Sequence, residues 1–300
     1  MNPVRINSIS ELHRMLGLPK PLHPLVSIIH NTDMVVDPAL VPNTFMFDFY
    51  KISYKKTLNQ KMQYGQGHYD FEEGGMIFTA SLQLITVENE DTEYEGSSVV
   101  FHPDLIRNYP LGKNIKSFGF FSYDTNEALH LSEKEKRSIM GVLDNIKEEL
   151  NVSIDDFSQD VLVSYIEVLL NYSNRFYKRQ FVTRKAVSHD LLTRMEKLLS
   201  DYFDQAEPLK SGLLTVEYLA SGLHLSPRYL SDMLRSLTGQ NAQQHIHGKL
   251  IEKAKEKLST STLSVSEIAY ELGFEHPQSF SKLFRNKTKL TPLAFRGSFN

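Results

Sequence analysis

The chain has 300 residues with no cysteine and no tryptophan, and its 33 basic and 36 acidic side chains give a formal net charge of −3. The length predicts about two domains, and the composition of 41% hydrophobic and 23% charged residues excludes wholesale disorder. The absence of cysteine excludes disulfides and thiolate metal ligands. Because the sequence shows neither a signal-peptide pattern nor a run of about 18 apolar residues, we expect a cytoplasmic protein with no membrane partner.

Predicted strands dominate the first part of the chain. After an N-terminal arm over residues 1–23, the segment Thr44–Tyr54 alternates phenylalanines with other residues at the period of two that is typical of a strand. Further short strands are predicted at residues 69–71, 76–79, 82–87, 97–101 and 117–123. Many short strands separated by turns predict a small barrel or jelly roll, which we place at residues 24–130.

Aromatic rings in this region either fill the barrel core or line a pocket for a small apolar or amphipathic ligand. The candidates for the pocket are Phe45, Phe47, Phe49, Tyr69, Phe71 and Phe78. An enzymatic interpretation has little support, because His68 and His102 are isolated and the region lacks a His-x-His metal pair, a nucleophile elbow and a phosphate loop. We therefore expect no catalytic residue, no bound metal and no cofactor.

Two helical patterns follow the strands. Residues 131–150 and 161–176 carry apolar side chains at helical spacing, and Ser132 with Glu135 forms a capping-box pattern before the first. Both stripes can pack against the barrel, and the second consists of Val161, Tyr165, Val168, Leu169, Tyr172 and Phe176. The polar residues 183–190 are predicted to be a linker.

Charge and repetition set the last part of the chain apart. From Thr183 to Asn300 there are 16 basic and 12 acidic residues, a net charge of +4, whereas the preceding residues carry −7. This asymmetry is consistent with a polyanionic partner, and an ordinary solvated surface is the alternative. Residues 215–239 and 264–289 are two copies of one unit, each predicting two short helices around a tight turn. This arrangement is the helix-turn-helix motif.

The second helix of each copy presents polar side chains opposite its apolar stripe. Arginine and glutamine match guanine and adenine edges in the major groove, and cations further along a helix reach phosphates. The alternative for any one of these residues is a solvated helix face. Between the copies, residues 241–258 predict a helix of about 27 Å, which suits second helices placed in successive major-groove turns about 34 Å apart.

Four spaced motifs run through this region: Ala254-x-x-x-Leu258, Ile268-Ala269-x-x-x-Gly273-Phe274, Phe280-x-x-x-Phe284 and Thr291-Pro292-x-x-Phe295-Arg296. Together they resemble the DNA-binding domain of the AraC family of bacterial transcription regulators, over residues 191–296. Lys289 stands where that family usually has glycine. The segment 67–74, GHYDFEEG, resembles part of the cupin-like sensor domain of the same family.

The resemblance implies an α+β chain: an N-terminal cupin-like β-barrel with trailing helices, then an all-α domain at residues 191–300 with two helix-turn-helix motifs. It further implies a sequence-specific transcription regulator, by default an activator, controlled by a small-molecule effector or a partner at the N-terminal domain. Its implied partners are double-stranded DNA, RNA polymerase and a second copy of the chain, bound through the second stripe of a helical dimerisation segment at residues 131–182. Two alternatives remain: a cupin-type metal enzyme fused to a DNA-binding module, and a ligand-free regulator that acts through protein contacts.

We assign DNA contacts from the polar faces and the resemblance together. Base contacts fall to Arg228, Ser231, Asp232, Gln278, Ser281 and Lys282. Phosphate contacts fall to Arg235, Arg285 and Lys287.

Overall fold

A computed structural model describes residues 3–35, 44–56, 74–86, 95–183, 185–205 and 207–299, except for the side chains of residues 185–188. The chain divides into two compact units, Met1–Thr183 and Arg184–Asn300. Across these described ranges, no helix has both the length and the apolar character needed to span a bilayer.

The described strands of the first unit form two sheets. The strands are β1 (Val4–Ile6), β2 (Val26–His30), β3 (Thr44–Phe47), β4 (Tyr50–Lys55), β5 (Gly75–Thr79), β6 (Leu84–Thr86), β7 (Gly96–Phe101) and β8 (Leu129–His130). One sheet has the order β1-β3-β6 and the other β2-β7-β4-β5-β8. Ile6 and Phe47 of the first sheet pack in one core cluster with Ile29 and Val100 of the second. The predicted β-rich fold is confirmed, and its closure into a cupin-like barrel stays a prediction.

The predicted N-terminal arm is instead part of this core. Val4–Ile6 pairs in parallel with Phe45–Phe47, and helix α1 (Ile9–Met15) begins at Ser8, whose hydroxyl accepts a hydrogen bond from the Glu11 backbone. The side chains of Ile6 and Ile9 are at most 2% exposed. Apolar side chains at these positions favour packing of the segment over an extended arm.

Two of the strand predictions were also wrong. Thr44–Tyr54 is not one strand but two, β3 and β4, which belong to different sheets and are separated by a bend at Asp48, whose carboxylate binds Arg5 at 2.7 Å. Residues 117–123 form parts of two short 3₁₀ helices rather than a strand. The neighbouring rings of Phe120 and Phe121 are both buried and 5.3 Å apart, an arrangement that the alternating faces of a strand do not permit.

Helices cover the outer face of the five-stranded sheet. They are α2 (Pro103–Ile106), α3 (Pro110–Asn114), α4 (Glu133–Asn151) and α5 (Ser158–Thr183). The predicted capping box at the start of α4 is confirmed. Tyr177 of α5 stacks on Phe120 at 5.7 Å, and Arg179 of α5 binds Glu135 of α4 at 2.7 Å. These contacts hold α5 against α4 and against the 3₁₀ helix that contains Phe120.

The described part of the second unit is helical. Its helices are α6 (Lys185–Asp204), α7 (Pro208–Ser211), α8 (Val216–Gly222), α9 (Pro227–Thr238), α10 (Ala242–Thr260), α11 (Val265–Glu271), α12 (Pro277–Thr288) and α13 (Pro292–Gly297). The linker predicted at residues 183–190 is therefore not irregular, since Thr183 ends α5 and residues 185–190 open α6. The segment has no glycine or proline to interrupt a helix, so a polar composition alone was a poor sign of a linker.

Candidate nucleic-acid interface

Both copies of the repeat fold as two helices around a tight turn, α8–α9 and α11–α12. The hydroxyl groups of Thr215 and Ser226 accept hydrogen bonds from the backbones of Tyr218 and Tyr229, at 3.1 and 3.3 Å. Ser264 and Glu267 cap α11 reciprocally at 3.2 and 2.7 Å. Each of these side chains satisfies a backbone amide that the helix itself leaves unpaired. The two short helices predicted for each copy are therefore confirmed.

Left-handed backbone occurs at two equivalent positions in each copy. In the turn, His224 of copy one has φ +58° and Gly273 of copy two has φ +89°. After the second helix, Gly239 has φ +78° and Lys289 has φ +66°. In each copy, one of these two positions is a glycine. The other is a residue whose side chain bears the steric cost of the left-handed conformation. Glycine is required at residue 273, because a Cβ there would lie 2.4 Å from the backbone oxygen of Gly212.

The repeat extends beyond the second helices. Thr238 and Thr288 end α9 and α12 in the same way, each hydroxyl donating to the carbonyl four residues earlier at 2.8 Å and accepting from the amide two residues later at 3.2 Å. Asn241 and Thr291 then cap the next helices, α10 and α13. α10 is thus equivalent to α13 and belongs to copy one as well as connecting the copies.

Arg296 fixes the far end of α10. Its guanidinium donates to the carbonyl of Leu258 in the last turns of α10 at 3.3 Å, and to that of Leu263 just before α11 at 2.6 Å. Hydrogen bonds from a charged donor are among the stronger ones in proteins. The connection from α10 to the second helix-turn-helix is consequently held by an arginine of α13.

The polar face of α9 is internally paired. Asp232 accepts from Arg228 at 2.9 Å with one carboxylate oxygen and from Arg235 at 3.2 Å with the other. The Asp232 side chain is only 18% exposed, while that of Arg235 is 54% exposed. Asp232 therefore faces its arginine neighbours and positions their guanidinium groups. A direct contact from Asp232 to cytosine requires one of these pairs to open.

The polar face of α12 is more open. Gln278, Lys282, Arg285 and Lys287 are exposed, and Ser281 is half-buried, as is Ser231 of α9. In the described part of the chain, the cations of α12 form no ion pair. The two second helices thus differ: copy one carries an oriented arginine pair whose charge Asp232 halves, and copy two carries uncompensated positive charge.

The histidines of α10 serve local contacts. His245 lies 2.8 Å from the hydroxyl of Thr238, and His247 lies 2.9 Å from the amide of Gln243. Burial lowers the pKa of both imidazoles. Because the two rings have different partners, they do not converge on a shared metal position.

The predicted pocket residues of the first unit fall into two clusters. Phe47 and Phe49 are buried and stacked at 4.8 Å in the core between the sheets, and Phe45 lies 5.0 Å from Phe47. Phe78 instead packs at 4.3 Å against Phe120 on the helical side of the five-stranded sheet. Tyr69 and Phe71 lie outside the described residues. The described rings therefore do not line one common cavity, because strand alternation directs them to opposite faces.

The predicted dimer stripe is also divided. Leu169 and Phe176 are buried within the first unit. Val168 is 41% exposed, and Val161, Tyr165 and Tyr172 are partly exposed. Only these four members of the stripe offer surface to a second chain.

Comparison with known proteins agrees with the geometry of the second unit. Residues 219–298 match a family described as a helix-turn-helix domain. The chain carries an AraC-type helix-turn-helix domain. Over 146 residues, the chain is 30% identical to the uncharacterized HTH-type transcriptional regulator YfiF of Bacillus subtilis, covering 49% of this chain and 43% of that one.

Two further similarities are to a curated regulatory protein and to a solved C-terminal domain. The regulatory protein PocR of Salmonella typhimurium is 33% identical over 118 residues, which are 39% of this chain and 37% of PocR. The solved C-terminal domain of the response regulator yesN from Fusobacterium nucleatum is 31% identical, with 34% of this chain and 96% of that domain covered at a TM-score of 0.30. The chain spans less than half the length of the two curated relatives.

Proposed function

We propose that the protein is a sequence-specific DNA-binding transcription regulator that acts as an activator in the cytoplasm. The observation that carries this proposal is the duplicated helix-turn-helix, whose second helices both present arginine, lysine or glutamine on one polar face. A side-chain set of this kind matches base edges and phosphates, and one face in each copy matches two successive stretches of major groove.

The two second helices take different parts in recognition. Gln278 of α12 is suited to a bidentate contact with adenine, and Arg228 of α9 to guanine. Arg235, Arg285 and Lys287 neutralise phosphates and set the register of the domain on the duplex. Ser231, Asp232, Ser281 and Lys282 complete the proposed set of base contacts. α10 has 19 residues and at about 1.5 Å per residue measures about 28 Å, which is compatible with successive groove turns.

Control resides in the first unit under this proposal. A small-molecule effector or a protein partner bound there shifts the chain between states that differ in DNA affinity or in contact with RNA polymerase. A second copy of the chain binds through the exposed members of the α5 stripe, around Val168. The cupin-like sensor barrel belongs to the same proposal.

The test is a salt titration of DNA binding by the full-length protein. Fluorescence anisotropy compares a duplex from upstream of its own gene with a scrambled duplex of equal length and base composition. We expect the upstream duplex to bind more tightly by at least about 10³-fold at physiological salt, the lower end for specific recognition. Equal affinities for the two duplexes across the salt range would refute the proposal.

A further inference from the structure

The repeat of the second unit also extends before the helix-turn-helix of each copy. Helix α6 precedes α8 in the way that α10 precedes α11. Three buried apolar side chains of α6 recur in α10 at a constant offset of 59 residues, with Leu191, Met195 and Leu199 matching Leu250, Ala254 and Leu258. α10 is therefore both the last helix of copy one and the first helix of copy two, and the groove between α6 and α10 is equivalent to the groove between α10 and α13.

In copy two, aromatic side chains occupy this groove. The ring of Phe295 lies 5.5 Å from that of Phe284 and 5.1 Å from that of Phe299. The ammonium group of Lys255, on α10, lies 5.8 Å from the centre of the Phe295 ring, which is within the range of a cation–π contact. Copy two thus supplies both the rings and the cation of its groove from its own chain.

Copy one has smaller or polar residues at the equivalent positions. At the offset of 50 residues that aligns the caps of α10 and α13, the three phenylalanines are replaced by Leu234, His245 and Lys249. At the offset of 59 residues, Glu196 takes the place of Lys255. A cation over an aromatic ring in copy two therefore corresponds to a carboxylate beside an imidazole in copy one.

The groove of copy one is an open cavity of about 350 Å³ between α6 and α10. This volume is at the lower end of the range for small-molecule sites. Met195 and Leu199 are buried members of its lining and supply apolar surface. Ser200 and Gln240 add polar groups, and a Cβ on Gly248 would meet nothing within 4 Å. We call this space the α6–α10 cavity.

The charges that line the α6–α10 cavity leave one carboxylate without a counter-charge. Lys249 is paired with Glu252 at 2.9 Å, whereas Glu196 has no ion-pair partner within the ranges that the structure describes. His245 lies 2.8 Å from the hydroxyl of Thr238, and burial lowers the pKa of its imidazole although the nearby Glu196 acts in the opposite direction. The imidazole is therefore neutral at pH 7, and the uncompensated charge of the cavity is negative.

We propose that the α6–α10 cavity binds a small organic cation, an ammonium or guanidinium group on an apolar body, with Glu196 as its counter-charge. The oxygen atoms of Ser200 and Gln240 accept hydrogen bonds from its N–H groups, and the buried methionine and leucine of the lining contact its apolar part. The bound cation stands in copy one where Lys255 stands in copy two. The site lies in the second unit, so it is separate from the effector control proposed for the first unit and does not rest on it.

The test is isothermal titration of the full-length protein with probes that share one benzyl body. Benzylamine and benzylguanidine are the cations, benzyl alcohol is the neutral control and phenylacetate is the anionic control. Ionic strength is held constant, so that general screening of surface charge is the same in every titration.

Two variants and two matched controls locate the binding. Glu196→Gln removes the proposed counter-charge, and Glu217→Gln makes the same change at an exposed glutamate of α8 that does not line the cavity. Gly248→Leu places a side chain in the cavity, and Gly141→Leu makes the same change on an exposed position of α4 where a Cβ also meets nothing within 4 Å. Leucine favours a helix more than glycine does, so both glycine variants are expected to fold.

We expect at least one cation to bind saturably to the unchanged protein and to both controls, while benzyl alcohol and phenylacetate do not bind. Glu196→Gln should weaken that binding by at least about tenfold, as expected for the loss of a charged hydrogen-bond partner, and Gly248→Leu should abolish it. The absence of saturable cation binding would overturn the proposal, as would cation binding that Gly248→Leu leaves unchanged. An equal loss in Glu217→Gln and Glu196→Gln, or benzyl alcohol binding as tightly as benzylamine, would also overturn it.

Discussion

Gly273 approaches Gly212 so closely that a Cβ on residue 273 would lie 2.4 Å from the backbone oxygen of residue 212. The same oxygen accepts a hydrogen bond from the Tyr202 hydroxyl at 2.9 Å. The turn of the second helix-turn-helix is thus packed, backbone against backbone, on the segment that leads into the first. A side chain in this turn affects both copies of the repeat.

Gly273→Ala is therefore expected to destabilise the domain strongly, by at least about 2 kcal/mol, since an overpacking clash adds to the left-handed strain. Gly239→Ala is the matched control, because its φ is also positive while a Cβ there meets nothing within 4 Å. The control should lose only about 1 kcal/mol. Urea unfolding with hydrogen-exchange readout over residues 207–299 measures both, and equal losses would contradict the packing argument.

Lys289→Gly is expected to stabilise the domain by about 0.5–1 kcal/mol, since relief of left-handed strain exceeds the added freedom of the unfolded chain. His224→Gly should act in the same direction at the equivalent turn position of copy one. Lys289→Ala keeps the strain and removes the charge, so it serves as the control. Thermal unfolding of the three variants gives the comparison, and a gain in Lys289→Ala equal to that in Lys289→Gly would rule out backbone strain as the cause.

Asp232→Asn is expected to increase affinity for DNA of any sequence and to reduce selectivity. The change releases Arg228 and Arg235 from the carboxylate and removes a negative charge that repels phosphate. The magnitude of the salt slope should rise by about 0.9 for each added phosphate contact. Asp204→Asn, which makes the same charge change at the ion pair with Lys253, is the control. Salt titrations that show the same increase for both variants would exclude a local effect on α9.

Gln278 and Lys287 are both exposed on α12. We expect Gln278→Ala and Lys287→Ala to change DNA binding in different ways. Loss of a bidentate adenine contact weakens only the specific duplex, by about 1–3 kcal/mol, and relaxes preference at one base pair. Loss of a phosphate contact weakens specific and scrambled duplexes alike and lowers the salt slope. Competition binding against a library of single-base substitutions makes the distinction. An unchanged base preference in Gln278→Ala would refute the assignment of Gln278 as a residue that contacts a base.

Lys51, which is half-buried on the central strand β4, gives the folded protein a specific dependence on pH. Its folded-state pKa is below the ordinary value of 10.5, so between these two values the unfolded chain binds more protons than the folded chain. The free energy of unfolding is therefore expected to rise with pH in this window. Lys55 and His130 share its face of the sheet, so the quantity to measure is the difference between the unchanged protein and Lys51→Met. A difference that stays constant with pH would show that Lys51 is fully solvated.

Local signals allowed much of the second unit to be predicted. Serine and threonine caps at Thr215, Ser226 and Ser264 mark helix starts because each satisfies an amide within three residues. The pairing of Asp232 with two arginines follows from spacings of three and four residues and was available from the sequence. We missed it because the polar face was treated as free to contact DNA.

The first unit was harder to predict because its organisation depends on distant pairing. The alternation of Phe45, Phe47 and Phe49 continues through Lys51 and Ser53, so periodicity alone could not locate the bend at Asp48. The same alternation could not separate Phe78 from the other rings, because the face that Phe78 occupies depends on the register of β5 with β4. The partial burial of Lys51 is likewise visible only once β4 is placed between its two neighbours.

The equivalence of α10 and α13 has a consequence for the operator. The third helix of copy one, α10, is also the helix that leads to copy two. It therefore holds the two proposed DNA-contacting helices, α9 and α12, at a fixed separation. Insertion of one base pair between their subsites rotates one subsite by roughly 35° about the duplex axis, at about 10.5 base pairs per turn. A rigid helix cannot follow that rotation, so under the proposed function we expect the protein to bind only one spacing of its two subsites.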